Sequence, residues 1–238
     1  MKLDILAFGA HPDDVELSAS GTVILAVQQG KKVGVVDLTE GELGTRGSVK
    51  TRYQEAGKAS EIMGLSAREN LQIPDGFFTH SKENQLKIVE QVRRFRPEIV
   101  LCNAVSDRHP DHGKGSKLVS DALFISGLRK VETTWQGVTQ EAWRPKAVYH
   151  YIQDRYLKPD FVVDVSSVWQ QRMKAVMAYD SQFYNPDSKE PVSPIATKEF
   201  LQTVEGKAAI FGRNIGVQFA EGFTTERTIG VRDLFDIQ

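Results

Sequence analysis

The hydrophobic positions along the chain fall into short apolar runs that alternate with segments whose apolar residues recur every three or four positions. Short apolar runs are typical of buried β-strands, and the three-to-four spacing is typical of helices that bury one face. The pattern is clearest in the first 128 residues, where strands and helices alternate. The predicted strands are residues 3–9, 32–39, 70–73 and 98–103, and the predicted helices are residues 18–29, 51–63, 81–95 and 115–128.

The last third of the chain follows a weaker pattern. Strands are predicted at residues 146–153 and 161–165, helices at residues 168–178 and 198–212, and an irregular tail after them. Residues 180–197 form a polar, proline-containing stretch, and a loop of that length in a compact domain is usually functional or an oligomer contact. No repeat and no break in composition marks a boundary. We therefore expect a single domain over residues 1–238.

The alternation of strands and helices predicts an α/β fold of the Rossmann-like, doubly wound kind. Its sheet should be mainly parallel, with a smaller C-terminal portion of strands, loop and helix. In the usual strand order of such folds, 3-2-1-4, the first and fourth strands are neighbours. The crevice outside their carboxyl ends is where these folds bind ligands.

Composition narrows the classes of function. With 238 residues, 40% of them hydrophobic, the chain is able to bury a sizeable core. Its net charge of -1 argues against nucleic acid and against anionic membranes as partners. No apolar stretch approaches the roughly 20 residues of a membrane span, and no secretory signal is recognisable at the N-terminus. The single cysteine, Cys102, excludes an internal disulfide, so a cytoplasmic location is the simplest expectation.

Two clusters of ionisable residues directly follow the first and the fourth predicted strands. The first contains His11, Asp13, Asp14 and Glu16, and the second contains Asp107, Arg108, His109, Asp111 and His112. Either cluster alone is explained by a turn that caps a helix. Because both clusters are expected at the same edge of one parallel sheet, together they predict a site that carries out a chemical reaction.

Imidazole and carboxylate ligands suit a divalent metal such as zinc, and a catalytic zinc keeps three protein ligands and one open position. His11, Asp14 and His112 would supply two nitrogens and one oxygen. Iron(II), cobalt and manganese would accept the same ligands. Proton transfer needs further groups beside the metal. The groups left for it are Asp13, His109 and Asp111.

The two motifs, His11-Pro12-Asp13-Asp14 and His109-Pro110-Asp111-His112, resemble the signature of the LmbE/PIG-L family of zinc-dependent N-acetylglucosaminyl deacetylases. Within the family, the sequence most resembles the branch of bacillithiol biosynthesis, which deacetylates N-acetylglucosaminyl-L-malate. The resemblance covers essentially the whole chain and implies an LmbE-like fold. It extends to Arg52 with Glu55-Ala56, Asp75-Gly76, Ser181-Gln182-Phe183 and the C-terminal stretch 211–223.

The resemblance implies one zinc ion per chain, held by the three ligands named above. It implies that Asp13 is the general base, and that His109, oriented by Asp111, stabilises the oxyanion or protonates the leaving amine. Arg52 is a candidate contact for sugar hydroxyls. Arg108 is a candidate partner for a substrate carboxylate, because a guanidinium fork matches one. A structural ion pair is the alternative for each arginine.

Several alternatives stay open. Conjugates of N-acetylglucosamine with inositol, and chitin oligosaccharides, are other substrates of the family. A non-catalytic metal- or sugar-binding module would keep the same fold, and a metal-dependent phosphoesterase often uses two metal ions. A dinucleotide-binding protein would need Gly-x-Gly-x-x-Gly where Gly9-Ala-His-Pro-Asp-Asp stands. The resemblance further implies a homo-oligomer, a hexamer in related soluble members.

Overall fold

The structure, a computed structural model, describes residues 1–236. Strands and helices alternate in the first half of the chain, as the hydrophobic pattern predicts. The first-half elements are β1 (Ile5–Gly9), α1 (Asp14–Gln28), β2 (Val33–Asp37), α2 (Val49–Met63), β3 (Ala67–Asn70), α3 (Lys82–Phe95), β4 (Ile99–Cys102) and α4 (Pro110–Ser126). The remaining elements are β5 (Thr134–Trp135), β6 (Val138–Thr139), β7 (Ala147–Tyr151), β8 (Phe161–Asp164), α5 (Trp169–Met177), α6 (Lys198–Asn214) and β9 (Ala220–Thr225).

The central sheet has the strand order β3-β2-β1-β4-β7-β9-β8. The first five strands in this order pair in parallel, whereas β9 runs antiparallel to both of its neighbours. Every residue of β1 and β2 is buried, as expected for strands covered on both faces. The predicted doubly wound, mainly parallel α/β fold and its 3-2-1-4 order are therefore confirmed.

Helices cover both faces of the sheet. Helices α1, α2 and α5 pack together on one face, and α3 packs against α4 on the other. The two layers bury separate apolar clusters against the strands, one containing Val23 and Trp169 and one containing Val92 and Leu118. Among residues 1–236, no helix combines the length and apolarity needed to cross a membrane.

Helices α1 and α4 begin four to five residues before their predicted starts at residues 18 and 115. The reason is that their first turns consist of the ionisable motifs, in which no apolar periodicity is visible. The first turns nevertheless suit helix N-termini, because Asp14 and Asp111 place negative charge there and Pro110 occupies the first position of α4. The two charged clusters thus stand at helix entries.

The C-terminal prediction was wrong, because the expected irregular tail contains β9. Its sequence shows no alternation of apolar and polar residues, since a buried charge and a glycine stand side by side in it. At Gly222 a Cβ atom would lie 2.8 Å from the ring of Phe211, so close packing explains the glycine. The hairpin β5–β6 was missed as well; its turn residues, Gln136 and Gly137, both adopt positive φ.

The buried charge in β9 is Glu221, which forms an ion pair with Arg172 of α5 at 3.3 Å. Its carboxylate accepts the backbone N–H groups of Gly21 and Thr22 at 2.9 and 2.8 Å. Arg172 donates to the carbonyl of Leu17. The pair therefore bonds to the backbone of α1 from outside that helix and joins β9, α5 and α1.

We predict that Glu221→Gln destabilises the fold by about 3 kcal/mol, because Arg172 would remain buried without a counter-charge. Urea unfolding measures this change. The matched control is Glu98→Gln, which removes an exposed partner of Lys2 and Lys146 and should hardly alter the unfolding midpoint. Equal effects of the two substitutions would contradict the structural role of the buried pair.

Candidate metal centre and active site

The two ionisable clusters meet at one edge of the sheet. Strands β1 and β4 are parallel neighbours, with Ala7 opposite Leu101, so the segments that follow them leave the sheet side by side. The ring centroids of His11, His109 and His112 lie 4.6 to 5.6 Å apart. The predicted meeting of both clusters in one crevice is confirmed.

Asp14 lies between two of these histidines and is only 2% exposed. Its Oδ1 is 3.1 Å from His112 Nε2, and its Oδ2 is 3.7 Å from His11 Nδ1. Ligands around a tetrahedral zinc are separated by roughly 3.3 Å, given metal–ligand distances near 2 Å. Asn103 and Gln153 donate side-chain N–H groups to the two oxygens, at 2.9 and 3.1 Å, and so hold the carboxylate in place.

The outer nitrogens of two histidines contact carboxylates. His11 Nε2 lies 3.0 Å from Asp75 and 3.6 Å from Asp111, and His112 Nδ1 hydrogen-bonds Asp107. Burial disfavours a charged imidazole, but Asp14 together with these carboxylates raises the pKa of His11 to about 10 and that of His112 to about 9. Such carboxylate–histidine pairs orient metal-binding imidazoles in proteins.

The donor set fits a divalent metal ion. Carboxylates outnumber cationic side chains here, and a metal would replace the protons that the two buried imidazoles otherwise retain. Two groups of side chains bring ligand atoms within 4.8 Å of one another: His11, His109 and His112, and His11, Asp75 and Asp111. His11 belongs to both groups. A single ion bound to His11 would therefore be held by one of the two groups and not by all five side chains.

Asp13 differs from Asp14 in backbone and in environment. Its φ of 123° and ψ of -21° lie outside the regions that side chains favour. Its carboxylate is buried and 3.0 Å from Nη1 of Arg52. Burial raises the pKa of Asp13 to about 7, although Arg52 opposes this shift. For Asp14, His112 and His11 outweigh the effect of burial and hold the pKa well below its usual range. Adjacent carboxylates with opposite shifts are typical of catalytic sites.

The structure places Arg52 differently from the expected contact with sugar hydroxyls. Its side chain is buried and donates to the Pro12 carbonyl at 2.7 Å, to Asp13 and to the amide oxygen of Gln182 at 2.5 Å. Within the described residues, Nη1 therefore makes two hydrogen bonds to the protein and Nη2 makes one. Arg52 borders the cavity but fixes the segment that carries Asp13.

The expected pairing of the Asp111 carboxylate with His109 is not formed. That carboxylate accepts the backbone N–H of Gly76 at 2.7 Å and contacts Lys114 at 3.3 Å. His109 Nδ1 accepts the backbone N–H of Asp111 instead, at 3.3 Å. Burial and the neighbouring histidines lower the pKa of His109. A neutral His109 then carries its proton on Nε2.

A cavity of about 740 Å³ lies above this centre. Its volume is within the range of sites that bind small molecules. The loop 180–197 contributes Ser193, Pro194 and Ile195 to the wall, and Arg46 ties this loop down by donating to Ser188 and to two backbone carbonyls. Arg108 also borders the cavity, with its Nε bonded to Asp154.

The sequence analysis did not assign the groups that hold the ligands in place. It named Asp107 beside the second motif and Asp75 before a glycine, but gave neither a role. Asn103 and Gln153 have no recognisable signal, because an amide at a strand end has many other uses. They are neighbours only because β4 pairs with β7.

Comparisons with known proteins agree with this geometry. Residues 6–123 match the PIG-L family, described as GlcNAc-PI de-N-acetylase. Diacetylchitobiose deacetylase of Thermococcus kodakarensis is 28% identical over 92% of this chain and 81% of its own length. The 4-oxalmesaconate hydratase of Pseudomonas putida is 28% identical over 91% of this chain and 86% of its own. The crystal structure of the conserved protein TT1542 from Thermus thermophilus has a TM-score of 0.86 and 33% identity, covering 97% of this chain and 98% of that one.

The backbone of Asp13 yields a stability prediction. Both Asp13→Gly and Asp13→Ala remove the carboxylate, but only glycine adopts a φ of 123° without strain. The glycine variant should therefore be more stable than the alanine variant by about 1 kcal/mol in urea unfolding. At exposed Glu205 within α6 the same pair should show the reverse order, by about 1 kcal/mol. If the alanine variant were more stable than the glycine variant at both positions, there would be no backbone strain at Asp13.

Proposed function

Because the chain belongs to the PIG-L family, we propose that it is a zinc-dependent deacetylase that releases acetate from an N-acetylglucosamine conjugate, most specifically N-acetylglucosaminyl-L-malate. It is a hydrolase of amide C–N bonds, like the deacetylases it resembles. The observation that carries the proposal is the buried carboxylate of Asp13 beside the imidazole–carboxylate centre. Both border one cavity of sufficient size for a sugar conjugate.

We assign the metal to His11, Asp14 and His112, with one ion per chain. The spacing of the two Asp14 oxygens from the two imidazoles supports this set. His109 is the alternative third ligand, since its ring nitrogen also lies within reach. We prefer a free role for His109, because it is less buried than His112 and its pKa is lowered. Zinc, when bound, supplies Lewis acidity toward the acetyl carbonyl and activates water.

The protein's own groups then move the protons. Asp13 accepts a proton from the attacking water, and a pKa of about 7 suits a group that gains and loses protons near neutral pH. Arg52 holds Asp13 toward the cavity. His109 donates an Nε2–H hydrogen bond to the oxyanion, and the proton that Asp13 took from the water passes to the nitrogen of the leaving amine. The amide C–N bond breaks, and acetate and a free amine leave.

The malate conjugate is proposed because the cavity wall carries cationic groups that a neutral sugar does not need. Only Nε of Arg108 is bonded within the described residues, so its two terminal nitrogens are available to a carboxylate. N,N'-diacetylchitobiose is the second candidate substrate. The similarity to a diacetylchitobiose deacetylase over 92% of the chain favours it.

A cytoplasmic location and a homo-oligomeric assembly belong to the same proposal. The single cysteine, Cys102, is buried and needs no oxidising compartment. Large apolar side chains are exposed around the mouth of the cavity, as expected of a surface that a second subunit covers. These side chains are Leu43, Phe77, Tyr156 and Ile210.

The direct test measures acetate release by chelator-treated protein reloaded with zinc. The substrates are N-acetylglucosaminyl-L-malate, N-acetylglucosaminyl-inositol and N,N'-diacetylchitobiose. We expect release to be fastest from the malate conjugate. Faster release from another conjugate would change the substrate assignment but would still support a deacetylase. No acetate from any substrate would contradict the deacetylase, and it would favour a reaction such as the hydration named for one relative, which frees no acetate.

Asp13 as the base and His112 as a metal ligand predict different effects of substitution. Asp13→Asn should bind zinc as the wild type does but lose about 10²–10⁴-fold in turnover, because the group that takes the proton is gone. His112→Ala should lose both zinc and turnover, because a ligand is missing. Metal content by plasma mass spectrometry and acetate release are measured on the same samples. Full activity of Asp13→Asn would rule out Asp13 as the base.

A further inference from the structure

Within the described residues, one cation that borders the cavity has no partner. The guanidinium groups bordering the cavity each bond to acceptors of the protein. The Lys207 ammonium, in contrast, makes no hydrogen bond or ion pair within residues 1–235. The arginine and lysine side chains that border the cavity are Arg46, Arg52, Arg108 and Lys207.

One face of helix α6 lines the cavity, and Lys207 lies on that face. The residues of this face are spaced three or four apart, as neighbours along a helix must be. They are Phe200, Thr203, Val204, Lys207 and Ile210. Gly206 also borders the cavity, and a Cβ atom there would meet nothing within 4 Å beyond its chain neighbours and the backbone of its own helix. The cavity therefore has open space beside the lysine at this position.

The surroundings of Lys207 leave its charge poorly compensated. The residue is half-buried on α6. Burial and the nearby charge of Arg172 lower the pKa of Lys207 to about 8, while Asp154 and Asp107 act in the opposite direction. The ammonium is therefore still mainly charged at neutral pH. Asp154 is already the partner of Arg108, so it does not serve Lys207 as a direct ion pair.

We propose that Lys207 is a specificity-determining residue, whose ammonium binds a carboxylate on the aglycone of the sugar substrate. The aglycone would lie along α6 over Gly206, on the side of the cavity that carries Arg108 and Asp154. A carboxylate supplies the missing counter-charge and accepts an ammonium N–H, whereas a sugar hydroxyl supplies no charge. This inference rests on the proposed deacetylase function and specifies its substrate as an anionic conjugate.

The kinetic test compares an anionic and a neutral substrate on the zinc-loaded enzyme. These are N-acetylglucosaminyl-L-malate and the methyl glycoside of N-acetylglucosamine. For Lys207→Gln, the ratio of kcat/KM for the malate conjugate to that for the glycoside should fall about tenfold, mainly through KM, as expected for one charge-assisted hydrogen bond. Lys207→Arg should retain most of the ratio. Lys198→Gln, at an exposed lysine of the same helix, is the control and should not change it.

A second test needs no turnover. Reductive methylation of the lysines in the zinc-loaded protein is followed by mass spectrometry, with and without L-malate. Malate should slow the labelling of Lys207 and leave Lys198 unaffected, whereas glycerol should protect neither. Labelling of Lys207 that malate does not slow would overturn the proposal, as would equal kinetic losses on both substrates. Protection without acetate release from any conjugate would support the anion site and contradict the deacetylase function.

Discussion

The structure depends on the balance of charge at the edge between β1 and β4. Five carboxylates stand close together there, and most of them are buried: Asp13, Asp14, Asp75, Asp107 and Asp111. Buried carboxylates are costly unless cations or N–H groups compensate them. Arg52, two imidazoles that retain protons and several amide donors do so here, and a divalent ion would do so more fully. The same arrangement therefore stabilises the fold and supplies the kind of ligands that a divalent metal ion binds.

The scaffold beneath the site is also ionic. Glu16, in the first turn of α1, is fully buried and accepts from Arg68 and Tyr179. Arg68 in turn makes two hydrogen bonds to Asp37 at the end of β2, at 2.8 and 2.9 Å. These bonds join α1 to β2 and β3 directly below the segment that carries Asp13. The strained backbone of Asp13 is thus held between Arg52 on one side and this network on the other.

The sequence predicted the parts of the fold and site that depend on local patterns. The apolar runs located β1, β2 and β4, and the strand order followed from the alternation of strands and helices. The two histidine motifs were correctly placed together because both follow parallel neighbours. Contacts that only the tertiary structure creates were not predictable. The sequence did not reveal that Arg52 also bonds to Gln182, 130 residues away, and its role as a substrate contact stays a prediction. Lys207 gave no signal either, since its importance lies in the partners that it lacks.

The central claim is that one metal ion, held at the meeting of the two motifs, carries a single deacetylation site in each chain. The most direct measurement adds zinc stepwise to metal-free protein and records acetate release from N-acetylglucosaminyl-L-malate at each step. The account predicts no release without metal, then a linear rise that levels at one equivalent per chain. Two results would contradict it. One is a rise that levels at two equivalents per chain, which would mean that both ligand groups that include His11 bind metal. The other is full acetate release from the metal-free protein.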